Sequence, residues 1–224
     1  MTLGFRVLPS PARAPKETIA ALGKHAVSNL CDSMGRTHNA GGGALRPMHR
    51  GGTLCGPALT VRTAPGDNLL IHKAIDLAQP GDVIVVDGGG ALDAALIGDI
   101  MTSYALTRGV AGFVIDGAVR DTKELAMRDL PVYARGISPR GPTREGPGEI
   151  NVAVSIGGTV VHPGDIVVGD ADGLVIVPPS QAQSILAAVT NLLAKEKSLL
   201  ESIARGSVDR RWVDETLAAK GCTL

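Results

Sequence analysis

Residues 79–90, QPGDVIVVDGGG, open with a Pro-Gly-Asp turn, run into a β-branched strand and end in a glycine loop. An unbroken Val/Ile run is what a strand buried on both faces carries, the habit of parallel sheets covered by helices. GFVIDGAVRD (112–121) repeats the strand-to-loop transition, and helical spacing from about Gly98 to Arg108 lies between the two. Strand, helix, strand in that order predicts a parallel α/β unit.

Outward from this unit, TLCGPALTVRTA (53–64) alternates as a half-buried strand does, and PGDN (65–68) opens a helical stretch through Ile71, Ala74, Ile75 and Ala78. Further upstream, Lys16 begins a helical pattern through Ile19, Leu22, His25, Ala26 and Leu30, and Gly41, Gly42 and Gly43 form a loop. Residues 1–15, proline-rich and aperiodic, read as an extended arm that docks on the body or on a neighbouring subunit.

Downstream, LPVYARG (130–136) is a short strand and SPRGPTREGPGE (138–149) a long loop, followed by strand and turn through Pro179. PGDIVVGDADG (163–173) echoes the opening stretch through shared turn chemistry. Ser180 and Gln183 have capping-box spacing ahead of a long helix striped by Ile185, Val189, Leu192, Leu193, Leu199, Leu200 and Ile203; Gly206 ends it, and a short helix spans about Trp212 to Ala219. The expectation is one α/β domain over residues 16–224, a central β-sheet layered with helices and a helical C-terminal tail.

Composition narrows the function classes. Lys and Arg number 22 against 22 Asp and Glu, so the chain lacks the basic excess of a nucleic-acid binder. Two Phe, two Tyr and one Trp leave few stacking platforms for bases. Cys31, Cys55 and Cys222 are far apart with no zinc spacing and read as reduced thiols, Cys31 and Cys55 as small buried residues. MTLGFRVLPSPARAPKE has no apolar core of signal-peptide length, and no later run is long and apolar enough for a membrane span, so the expected setting is cytoplasmic.

Two loops at strand ends carry the chemistry. DGGGALDAALIGDIM (87–101) presents Asp87, Asp93 and Asp99 among glycines, with the amides of Ile100 and Met101 near a helix start where an anionic group could dock. IDGAVRDTKE (115–124) brings Asp116, Arg120, Asp121 and Glu124 together in sequence: Arg120 offers a planar fork for a carboxylate, Asp121 a hard oxygen for Mg²⁺ or Mn²⁺. On these residues alone a tight turn, an N-cap and an Arg-Asp ion pair at a helix start explain the same pattern. His25, His38, His49, His72 and His162 show no paired metal spacing and read as surface or core residues, His72 on the helix after PGDN being the least ordinary. The 138–149 loop, with Arg140, Arg144 and Glu145, reads as a solvated segment, a subunit contact or a lid over an anionic substrate.

Asp99 followed after twenty intervening residues by Arg120-Asp121 resembles the signature of the metal-dependent, class II pyruvate aldolases that cleave 4-hydroxy-4-methyl-2-oxoglutarate and 4-carboxy-4-hydroxy-2-oxoadipate. That family shares its fold with the ribonuclease E activity regulators, and GPALTVRTAPGDN, AIDLAQPGDVIVVDGGG, RGVAGFVIDGAVRD and GGTVVHPGDIVVGDADGLVIVP resemble its blocks in order, over roughly residues 25–205. The resemblance implies a swivelling β/β/α, phosphohistidine-domain-like sheet. It also implies a divalent metal, Mg²⁺ or Mn²⁺, on Asp121, with water-mediated contributions from Asp99 and Glu124. Arg120 would bind pyruvate together with Gly98 and the amides of Ile100 and Met101. A glutamate from a neighbouring subunit's C-terminal helix, Glu196 with Glu201 as the fallback, would complete a site in a homotrimer or homohexamer. Catalytic roles then fall on Asp99, Arg120 and Glu196, with oxaloacetate decarboxylation as a side activity. Asp99 is the discriminating position, because regulator-like members depart from aspartate there. A non-catalytic, protein-binding regulator and a metal-dependent lyase for another substrate, such as a sugar acid, are the alternatives.

Overall fold

Val83, Ile84, Val85 and Val86 are all fully buried, and their strand lies at the centre of the sheet. The computed structural model describes residues 3–40 and 42–223; Gly41 of the expected glycine loop and residues 1, 2 and 224 lie outside the described residues. In chain order the elements are β1 (Phe5–Val7), α1 (Lys16–Leu22), α2 (Val27–Ser33), β2 (Asn39–Ala40), β3 (Arg46–Pro47), β4 (Leu54–Thr63), α3 (Leu69–Leu77), β5 (Val83–Asp87), β6 (Ala95–Ile97), α4 (Asp99–Thr107), β7 (Gly112–Val119), α5 (Thr122–Met127), β8 (Val132–Ile137), β9 (Gly148–Ile150), β10 (Val154–Ile156), β11 (Thr159–Val161), β12 (Ile166–Asp170), β13 (Gly173–Val177), α6 (Ala182–Ala204) and α7 (Arg211–Ala219).

The fold is mixed α/β. Strands β4, β5, β7 and β8 run parallel in that order, flanked by antiparallel β12, β13 and β2 at one edge and by β3 at the other. Register explains the two-sided burial. Leu59, Ile84, Phe113 and Val132 are successive neighbours across the parallel strands and face α3 and α4, packing with Ile71, Ile75 and Ala105. Val85, Val114 and Tyr133, one residue on, face the opposite side and pack with Val154, Ile156 and Ile176. A third cluster seats α1, α2 and the first turns of α6 on β12 and β13 through Leu22, Leu30, Ile185 and Val189.

Three local expectations change. The helical pattern from Lys16 is split into α1 and α2 at residues 23–26, where Gly23 lies so close to β4 that a Cβ on it would sit 2.9 Å from Cys55 Cβ. Ser180 and Gln183 form no capping box: Pro179–Gln181 is a 3₁₀ turn, and Gln183 reaches instead to Thr18 Oγ1 at 3.1 Å. Phe5–Val7 pairs in parallel with Gly148–Ile150, giving the proline-rich N-terminal stretch a strand that its sequence does not announce. Among the described residues, no helix is long and apolar enough to cross a membrane.

Candidate functional site

β6 and β7 are parallel neighbours, so their carboxyl ends deliver Gly98-Asp99 and Arg120-Asp121 to the same edge of the sheet. Gly98 caps α4 and Asp121 caps α5, two helix starts side by side. The amide of Asp99 donates to Asp121 Oδ2 at 2.9 Å, and Arg120 Nε stands 3.6 Å from that oxygen. Asp121 itself adopts the left-handed conformation, φ 57° and ψ 42°, which aspartate tolerates better than most side chains.

Gly98 makes room for this close approach. A Cβ there would lie 2.4 Å from Asp121 Oδ2 and 2.9 Å from Arg120 Cγ. Helix α4 leaves its first amides without intrahelical acceptors, and those of Ile100 and Met101 follow directly behind Asp99. Ile100 is 78% exposed, whereas Met101 is buried in the core beneath the site. The Asp99 carboxylate is held by Arg128, which closes the far end of α5. One short helix therefore grips Asp99 at both ends, by Asp121 and by Arg128.

A cavity of about 60 Å³ opens beside this group, lined by Arg120, Gly98, Ile100 and Met101, and by Asn68, His72 and Arg144. Asn68 donates to Leu96 O at 3.0 Å, while its Oδ1 is buried without a partner among the described residues. Nε2 of His72 is likewise buried and unpartnered. Burial, reinforced by the nearby Arg144 charge and opposed by Asp76, holds the His72 imidazole below its ordinary pKa, which favours the neutral ring. Two guanidinium side chains and a helix start beside one cavity suit a polar, anionic molecule.

Sequence reading did not single out Asn68 and marked His72 only as the least ordinary of five histidines with a surface or core role. The available signal was their four-residue separation at the start of α3, Asn68 as its N-cap and His72 one turn on, which brings the two side chains to one side of the helix start.

The structure also separates residues that sequence placed together. Asp116, expected beside Arg120 and Asp121, lies instead in a second pocket of about 500 Å³ with Asp87 and Arg135. Its carboxylate accepts from Arg135 Nε at 2.5 Å and from the Gly157 amide at 2.8 Å. Asp87 accepts from the amides of Gly89 and Ser155, so both carboxylates are engaged as structural groups. Asp93 contributes its backbone carbonyl to Ser138. Glu124 stands in the first turn of α5, half-buried. Glu196 lies on α6, where its carboxylate accepts from Asn29 Nδ2 at 3.0 and 3.1 Å; within one chain it shares no hydrogen bond with Asp99, Arg120 or Asp121. Glu201 is exposed on the same helix.

Among the described residues, no three His, Cys, Asp or Glu side chains stand close enough to cage a metal. Mg²⁺ does not need such a cage: it typically takes one or two carboxylates and keeps several waters. Asp121, 38% exposed at its side chain and with Oδ1 unengaged among the described residues, fits that donor set, with Glu124 one helical turn away.

A family model described as RraA-like, Aldolase/RraA, matches residues 27–176 and so spans Asn68, His72, Asp99, Arg120, Asp121 and Arg144. A protein of Halalkalibacterium halodurans named "Putative 4-hydroxy-4-methyl-2-oxoglutarate aldolase" is 42% identical over 142 residues, 63% of this chain and 68% of that one. Among solved structures, an uncharacterized protein from Pseudomonas syringae pv. tomato is 26% identical with a TM-score of 0.77, covering 88% of this chain and 97% of its own. The RNA-processing inhibitor RraA from Thermus thermophilis is 32% identical with a TM-score of 0.63, over 69% of this chain and 93% of its own.

Proposed function

Because this chain belongs to the Aldolase/RraA family, we propose that it is a class II, divalent-metal-dependent lyase. Its reaction is the retro-aldol cleavage of 4-hydroxy-4-methyl-2-oxoglutarate, 4-carboxy-4-hydroxy-2-oxoadipate or both. The products are pyruvate and a second keto acid, which is pyruvate from the first substrate and oxaloacetate from the second. The observation that carries the reading is the junction of Asp99 with Arg120-Asp121 at two adjacent helix starts, with aspartate at the position that distinguishes the aldolases in the resemblance.

Asp121, with Glu124 and Asp99 through water, would hold the divalent cation, Mg²⁺ or Mn²⁺. When bound, that cation supplies Lewis-acid stabilisation of negative charge developing beside a ketone. Arg120 pairs with the pyruvyl carboxylate or keto oxygen, and the amides of Ile100 and Met101 donate to the same end of the substrate. Water held by Asp99 takes the proton of the C4 hydroxyl as the C3–C4 bond breaks. The C4 oxygen keeps its electrons as the new carbonyl, and the pair from the broken bond passes to the pyruvate enolate, which is then protonated at C3. Oxaloacetate decarboxylation passes through the same enolate. Asn68, His72 and Arg144 line the same cavity as Arg120 and would contact the substrate half that departs.

We further read the active species as a cytoplasmic homotrimer or homohexamer, with residues 1–15 as an arm, residues 16–224 as one catalytic domain, and Glu196 reaching the site of a neighbouring subunit. Leu199, Leu200 and Ile203 on α6 and Trp212 on α7 are all at least half exposed, an apolar surface that a second copy would cover.

The decisive experiment is pyruvate release from both substrates with and without Mg²⁺, in the parent, Asp121→Ala and Asp99→Ala. Metal-dependent release abolished by Asp121→Ala supports the reading. No release from either substrate or from oxaloacetate under any metal, together with a stable complex with a ribonuclease, would replace it with the regulator.

A further inference from the structure

Asp67 is 1% exposed and takes no part in the reaction as written above. Its Oδ2 accepts from the Thr143 hydroxyl at 2.9 Å and from the Glu145 amide at 2.6 Å, and its Oδ1 from the Leu69 amide at 3.0 Å. Backbone bonds run alongside: Asn68 N to Thr143 O at 3.1 Å, Thr143 N to Gly66 O at 2.9 Å and Ala64 N to Pro147 O at 3.2 Å. Residues 143–147 are thereby stitched to residues 64–68, the segment that leads into α3.

Desolvation pushes the Asp67 carboxyl up, but the donors on Leu69, Glu145, Thr143 and Gly146 together outweigh it, and the group is held below the ordinary aspartate range. A buried carboxylate is a costly way to secure a loop that backbone bonds already join. What the loop carries gives the reason. Arg144 sits between Thr143 and Glu145, two of the three residues that Asp67 binds, and lines the cavity together with Pro142, Arg120, Asn68 and His72.

We propose that Asp67 is a positioning residue for substrate: by fixing Thr143 and Glu145 it holds Arg144 in the cavity wall, and so sets affinity for the substrate half that leaves as the second keto acid. This inference rests on the aldolase reading. An unfixed arginine loses rotamer and loop entropy when it engages substrate, and that cost falls on binding more than on turnover.

The test compares the parent, Asp67→Asn, Thr143→Val, Arg144→Ala and the Asp67→Asn/Arg144→Ala double variant. Three readouts are taken: KM and kcat for 4-carboxy-4-hydroxy-2-oxoadipate, deuterium uptake into the pyruvate methyl group, and amide exchange at Glu145 and Gly146. Asp67→Asn should lose amide protection in residues 145–146 and raise KM roughly tenfold with kcat within about twofold, while pyruvate deuteration stays at the parent rate. Thr143→Val, which removes one contact only, should show a smaller shift in the same direction and covers the case in which Asp67→Asn does not fold. The double variant should be no worse than Arg144→Ala alone, because Asp67 acts through Arg144. Additive losses, an unchanged KM, or equal losses in kcat and pyruvate deuteration would overturn the inference with the aldolase reading intact. A parent that neither cleaves substrate nor deuterates pyruvate overturns both.

Discussion

Arg128 Nε donates to Asp99 Oδ1 at 2.9 Å, so the residue that ends α5 orients the carboxylate that begins α4. Asp99 is thus a fixed group, aimed by a neighbouring helix. Arg128→Ala should lower the rate of pyruvate release about tenfold, a barrier increase of ~1.4 kcal/mol, while leaving the melting temperature nearly unchanged because the pair is partly solvated. Arg128→Lys, which keeps the charge but loses the fork, should recover only part of the rate. Steady-state assays beside thermal unfolding separate the two effects.

Gly98→Ala is expected to harm activity far more than stability. The three nearest atoms to the added methyl belong to the side chains of Asp121 and Arg120 and none to the backbone, so the strain falls on those two groups. Displacing both groups by about 1 Å is enough for a loss on the order of a hundredfold in kcat. A Gly98→Ala variant with parental kcat would show that neither side chain needs its present position.

Arg135→Ala should behave the opposite way. Asp116 is 7% exposed at its side chain, and removing its guanidinium partner leaves a buried, underpaired carboxylate. The expected cost is about 3 kcal/mol in urea unfolding at neutral pH, with the Mg²⁺ dependence of pyruvate release unchanged in the protein that remains folded. Arg135→Ala/Asp116→Asn should restore most of that stability.

The thiols should react in a fixed order. Cys222 is exposed, whereas burial pushes the Cys55 thiol up to about 11, with the Gly23 amide opposing. At pH 8 the native protein should therefore lose Cys222 to a thiol reagent within minutes, while Cys55 stays protonated and reacts only on unfolding. Mass spectrometry of alkylated peptides reads this directly; fast native labelling at Cys55 would contradict its burial.

The parallel centre of the fold was legible in sequence because burial on both faces leaves continuous runs, and Val83–Val86 and Phe113–Ile115 are such runs. The link between Asp99 and Arg120-Asp121 came from the resemblance, because residues 87–101 read as a loop and hid the three-residue strand Ala95–Ile97 whose parallel pairing with β7 brings the two ends together. Asp116 was misassigned for a physical reason: its four-residue distance from Arg120 says nothing about which side of β7 it faces, and a register irregularity against β8 falls between Ile115 and Ala118. Non-local contacts were invisible for a different reason. Arg128 reaches Asp99 and Asp67 reaches Glu145 across folded chain, and no periodicity encodes such meetings.

The pairing of Phe5–Val7 with Gly148–Ile150 has a consequence for how the chain is made. Strand β1 is synthesised before β9 and has no partner until β9 has emerged, well after the parallel centre is available to collapse. Docking of β1 is therefore a late step of folding, closed by the contacts of Arg6 with Glu149 and of the Leu8 amide with Ile150.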